Sequence, residues 1–141
     1  MLETLRQWVL KAEHDLKNTA LALRGGRECP TDTVCFHAQQ CVEKYMKAFL
    51  VLKLIDFPKT HDLDDLAWRS PDTLLPLLSN EERGCLTEYA VVVRYPGEGG
   101  EISLAEARRA VRLARQVRSA IRKLLPRAAL AGRKRERNTP R

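Results

Sequence analysis

Three side chains in the stretch "CFHAQQCVEKYMKAFLVLK", residues 35–53, could do chemistry together. His37, Gln40 and Lys44 recur at i, i+3 and i+7. At about 100° per residue they share one helix face with Cys41 and Ala48. A histidine can move a proton near neutral pH, and a lysine can hold a phosphate. The same row also fits a solvated face, a subunit interface or the wall of a cleft. A single histidine on a helix more commonly makes a structural hydrogen bond than a catalytic one.

A second constellation lies in "RYPGEGG", residues 94–100. Arg94 offers a planar, permanent positive charge suited to phosphate, and Tyr95 offers a stacking face and a hydroxyl. The glycines that follow let backbone N–H groups approach an anion. The plainer reading is a helix stop, with Arg94 paired to a carboxylate such as Asp15. The loop lacks the Gly-Lys-Ser/Thr ending of a P-loop.

Arg108, Arg112, Arg115, Arg118 and Arg122 form a third set, three to four residues apart, opposite an apolar seam. Such a stripe is either solvated or a track for a phosphate backbone. No aromatic residue interrupts it, so base stacking is not indicated. His61, in "PKTHDL", could touch phosphate, cap a helix or pack, and its local sequence favours none of these.

Other chemistries lack their signatures. There is no H-E-x-x-H, no G-x-S-x-G and no dinucleotide fingerprint. His14, His37 and His61 are too scattered to suggest a metal site, and nothing calls for an organic cofactor. Cys29, Cys35, Cys41 and Cys85 contain no C-x-x-C pair, so they are expected to be reduced packing residues.

The elements that must position these residues read as helices. Leu2, Leu5, Val9, Ala12, Leu16, Ala20 and Leu23 give an amphipathic helix over residues 2–24, ended by "GGRECP". A second helix spans Thr31 to Lys53, with Thr31 or Asp32 as its cap. A short one starts near His61 with Thr60 as its cap. Pro71 and Pro76 limit "RSPDTLLPLLSN" to short pieces. A fourth helix is capped by Asn80 and continues through "YAVVV". The last opens on "SLAE", a capping box of Ser103 and Glu106, and ends at Pro126.

The expected fold is therefore all-α, an up-and-down bundle of four to five helices with one irregular crossover. The chain of 141 residues suits one domain, residues 1–126, with 44% hydrophobic and 30% charged residues. Residues 127–141 carry +5 of the net charge of +7 and lack periodicity, so a disordered basic tail is expected. That tail could also meet RNA, DNA or an acidic partner. No apolar run approaches a membrane span, and the first residues carry charges throughout, so no membrane contact and a cytosolic location are expected.

These pieces together resemble the HEPN family, named for higher eukaryotes and prokaryotes nucleotide-binding. The likeness rests on Trp8, Ala12 and Asp15–Leu16, then "CFHAQQCVEKYMKAFL", "PKTHDL", "VVVRYPG" and "EARRAVRLARQV". It runs in order over roughly residues 1–125. The resemblance implies a helical bundle, commonly a homodimer, from a prokaryotic cytosol. It implies a chain often encoded beside a small nucleotidyltransferase, in pairs resembling toxin–antitoxin modules.

Many HEPN proteins are metal-independent ribonucleases whose motif is an arginine followed after four to six residues by a histidine. This sequence departs from it: no arginine precedes His14, His37 or His61 at that spacing, and no histidine follows Arg94. "RYP" resembles the branch read as nucleotide-binding or as a partner of the transferase. The resemblance thus puts Arg94, Tyr95, Lys44 and His37 at a nucleotide or phosphate site. It keeps Arg94, His37 and His61 as catalytic candidates of an unorthodox ribonuclease. Arg108, Arg112, Arg115 and Arg122 remain a weaker nucleic-acid surface. A structural interaction domain without a ligand is the third reading.

Overall fold

A computed structural model describes residues 1–91 and 101–130 of the chain. Seven α-helices occur among them. They are α1 (Leu2–Leu23), α2 (Thr31–Leu52), α3 (Leu63–Trp68), α4 (Pro71–Leu74), α5 (Asn80–Val91), α6 (Leu104–Arg122) and α7 (Arg127–Leu130). Short 3₁₀ turns lie at Gly26–Glu28 and Leu75–Leu77. None of the described helices is long and apolar enough to cross a membrane.

Four of these helices run alternately up and down. Trp8 meets Lys47 and Asp15 meets His37, so α1 and α2 are antiparallel neighbours. The Thr31 hydroxyl donates to the Ile102 carbonyl at 2.7 Å and Arg122 reaches the Tyr45 hydroxyl, so α6 runs alongside α2 in the same direction. Tyr89 donates to Glu106 at 2.6 Å, which sets the end of α5 against the start of α6. The short α3 and α4 make the irregular crossover, cut up as Pro71 and Pro76 require.

The core is the meeting of the apolar seams read from the sequence. Leu5, Val9, Ala12 and Leu16 of α1 pack with Ala38, Val42, Tyr45, Met46 and Phe49 of α2. Ala107, Ala110, Val111, Ala114, Val117 and Ile121 of α6 close it. The alanines lack bulk, so the backbones of α2 and α6 come close. From Gln39 to Leu50 every residue except Gln40 and Lys44 is buried.

Several helix ends differ from expectation. Pro30 occupies the cap position of α2, Thr31 bonds to Ile102, and the Asp32 carboxylate accepts from the Thr33 N–H. The cap of α3 is Asp62, which accepts from the N–H groups of Asp64 and Asp65. Ser79 and Glu82 form a reciprocal capping box at the start of α5, at 3.0 and 2.8 Å. The Asn80 amide oxygen accepts from Arg83 instead. At α6 Ser103 caps the Glu106 N–H, while the Glu106 carboxylate accepts from Tyr89.

Packing also continues past Pro126. Residues 127–130 form α7, Ala129 is buried, and Arg6 of α1 donates to the Ala128 carbonyl at 2.8 Å. Three alanine and leucine side chains in that segment give it apolar surface that the basic residues further on do not have.

Candidate functional site

The polar residues of α2 fall into one arc. By helix geometry Gln39, Glu43, Lys47, Gln40, Lys44 and His37 cover somewhat less than half of the circumference. Ordinarily such a face is solvated, but here most of it is buried within the chain. α1 covers one side with Asp15 and Trp8. The segment between α2 and α3 covers the other with Phe57 and His61.

On the α1 side Asp15 is the hub. It is buried, with one carboxylate oxygen 2.7 Å from His37 Nδ1 and the other 2.5 Å from Lys44 Nζ. A carboxylate only accepts, so it draws the ring proton of His37 to Nδ1. Nε2 points away from that carboxylate and, among the described residues, has no partner. Phe36 stands edge-on to the ring at 5.4 Å. His37 and Lys44 thus sit together on the expected row. Asp15, weighed as a partner for Arg94, already has both oxygens engaged by that row.

On the other side Glu43 is the hub. It is 3% exposed and bonds the ring of His61 at 2.7 Å, Lys47 at 3.1 Å and Gln39 at 3.2 Å. Gln39 also donates to the His61 carbonyl, and Gln40 donates to Gln39 at 2.7 Å. Lys47 is almost fully buried, its ammonium 5.5 Å from the Trp8 ring centre and 5.8 Å from that of Phe57. Two aromatic faces and a carboxylate offset part of the cost of burying that charge. The His61 side chain stays 58% exposed while its Nδ1 is held by a buried acid.

The arginine stripe divides. Arg118 makes a forked pair with Glu13, at 2.7–3.0 Å, and Arg122 donates to Glu13 and to the Tyr45 hydroxyl. Burial alone would raise the Glu13 pKa, but Arg118, with help from Tyr45 and Arg122, holds it below the ordinary glutamate value. The hydrogen bonds of Glu13 likewise raise the pKa of Arg118. Burial pushes the Tyr45 phenol and the Cys41 thiol well above their usual ranges. Arg108, Arg112 and Arg115 stay exposed.

Arg94 and Tyr95 lie outside the described residues, so the described site is formed by α1, α2 and the His61 segment. Sequence reasoning singled out His37, Lys44 and His61 and passed over Asp15, Gln39, Glu43 and Lys47 as site residues. A signal existed: Gln39, Glu43 and Lys47 also stand four apart, in a second polar row that a solvated helix would not need to keep apolar neighbours beside. Among the described residues no group of three or more His, Cys, Asp and Glu is placed to hold a metal ion.

No curated protein and no solved structure matches the chain. The model of the HEPN domain matches residues 5–124, which take in both hubs, α2, α5, α6 and all but the first three residues of α1. The two blocks "FHAQQCVEK" and "KTHDL" are joined in space by Gln39, Glu43 and His61, and the chain belongs to the HEPN domain family.

Proposed function

We propose that this HEPN-domain protein is the nucleotide- or partner-binding component of a prokaryotic pair with a small nucleotidyltransferase, a toxin–antitoxin-like module, and that it works as a cytosolic homodimer. The observation that supports this reading is the pinned pair on Asp15. His37 and Lys44 are both held by one buried carboxylate, so the imidazole ring and the remaining donors of the Lys44 ammonium are fixed before a ligand arrives. Fixed donors lose little entropy on binding, which suits recognition of a phosphate. In this reading Arg94 and Tyr95 supply the phosphate charge and the stacking face, and His37 Nε2 and Lys44 complete the contact. Calorimetric titration with nucleoside triphosphates, and separately with a nucleotidyltransferase encoded beside this chain, tests it. Binding that Arg94→Ala weakens at least tenfold supports the reading, and no heat with either titrant ends it.

One observation favours a second reading, a metal-independent ribonuclease toxin with a non-standard site. The Glu43–His61 pair has the form of a carboxylate that orients an imidazole for proton transfer, with the other ring nitrogen open to solvent. Cleavage of RNA in the presence of a chelator, lost in both His61→Gln and Arg94→Ala, would establish it. Intact RNA with the wild-type chain would remove it.

A further inference from the structure

The outer face of α6 carries a row of cations that meets no counter-charge among the described residues. Arg108, Arg112, Arg115 and Lys123 are all exposed and recur every three to eight residues on one line of the helix. With a rise of about 1.5 Å per residue, the three arginines span about 10 Å and the lysine extends the row to about 22 Å. Arg109 flanks the line.

Acids close both edges of this row without entering it. On the α1 edge Glu13 draws Arg118 and Arg122 inward. On the α5 edge Glu82 stands 3.9 Å from Arg109. Among the described residues, none pairs with Arg108, Arg112 or Arg115. The other exposed positions of this face are Ala105, Gln116 and Ser119, which are small or polar.

We infer that this face is a docking track for the sugar–phosphate backbone of a nucleic acid. The partner is argued from what the face offers and what it lacks. A membrane-surface helix needs its apolar side free to enter the lipid, and the apolar side of α6 is buried in the bundle. A protein interface is anchored by buried aromatic or large apolar side chains, and between Ala105 and Lys123 this face presents none, Leu124 lying just beyond it. A backbone asks only for cations at intervals near the spacing of phosphates, and guanidinium forks fit phosphate oxygens. The track sits on the side of α6 turned away from α2, so it is independent of the Asp15 and Glu43 clusters and of the function proposed for them. It positions a polynucleotide without reading its sequence.

The test is the salt dependence of binding, with the full chain and fluorescent 20-mers of oligo-uridine, oligo-thymidine and mixed-sequence duplex DNA. The variant R108Q/R112Q/R115Q removes the row. The variant K11Q/K17Q/R24Q removes the same charge from the exposed face of α1. Wild-type protein should bind at least one of the three oligonucleotides. The α6 variant should lower the slope of log K against log salt by about two to three units, since each phosphate contact contributes about 0.7–0.9. The α1 variant should keep most of the slope. Unchanged melting temperatures show that both variants are folded, as exposed positions should allow. Equal losses in the two variants would mean a diffuse attraction to net charge and would overturn the track. So would an unchanged slope in the α6 variant, or binding only to anionic vesicles or polyglutamate.

Discussion

The carboxylate of Glu43 lies 2.7 Å from the ring of His61, eighteen residues further along the chain. That bond closes the segment between α2 and α3 over a helix face that would otherwise need water. The same carboxylate carries Lys47, whose almost fully buried ammonium lies against Trp8 and Phe57. Glu43 is therefore the point where charge balance inside the bundle and the position of an exposed histidine are set together.

Removing Glu43 alone should be severe. Glu43→Ala leaves the Lys47 ammonium buried and unpaired, at a cost of about 3–5 kcal/mol. Adding Lys47→Met to Glu43→Leu should recover most of that loss, since a buried pair replaced by apolar groups of similar size is often neutral. Urea denaturation of the three variants checks this. A loss below about 1 kcal/mol in Glu43→Ala would show that the pair is not buried.

Glu13 should give the fold an acid-sensitive contribution. Its pKa in the folded chain lies below the ordinary value of 4.5, so the unfolded chain binds its proton first as pH falls. The stability it contributes is complete above that value and is lost as pH drops through the lower, folded one. As pH falls below about 4.5 the wild type should lose stability more steeply than Glu13→Gln. Parallel curves of melting temperature against pH would contradict this.

Leu54 marks a place where the sequence opposes its backbone. Ile55 N–H bonds to the Leu50 carbonyl at 2.9 Å and Leu54 N–H to that of Val51 at 3.0 Å, the two bonds of a Schellman turn. Leu54 fills the left-handed position with φ of 58° and is 82% exposed. Leu54→Gly should stabilise the chain by about 1 kcal/mol, because only glycine takes that conformation without strain. Thermal unfolding measures it, and a lower melting temperature would refute it.

Cys41 should be silent in the native state. It is fully buried, and burial raises its thiol far above the usual cysteine range. An aromatic disulfide reagent at pH 8 should modify Cys85 first and reach Cys41 only as the chain unfolds. Mass mapping after brief exposure checks the order, and early labelling of Cys41 would disprove it.

Long elements were legible from periodicity alone. The ends of α1 and α2 match their seams within two residues, because apolar residues three and four apart need a core whatever the partner, whereas α6 stops at Arg122, short of the Pro126 expected to end it. Caps were less legible. Thr31, Thr60 and Asn80 are all good capping types, yet Ile102, Asp62 and Arg83 respectively decide what those residues do or who replaces them. Least legible were Glu43 and Lys47. In sequence they look like a solvated i,i+4 pair, and only Trp8, Phe57 and His61, brought in from elsewhere, make them interior. Arg118 and Arg122 were read as surface for the same reason: Glu13 lies more than a hundred residues away.

The enclosure of α2 restricts how this chain can drift. A residue on a helix with an open side can be exchanged singly, with water absorbing the difference. Between Gln39 and Leu50 water reaches little, and Gln39, Glu43, Lys47 and His61 each complete another's bonding. Viable changes there must arrive in sets, so new specificity has its cheapest entry at the elements wrapped around α2.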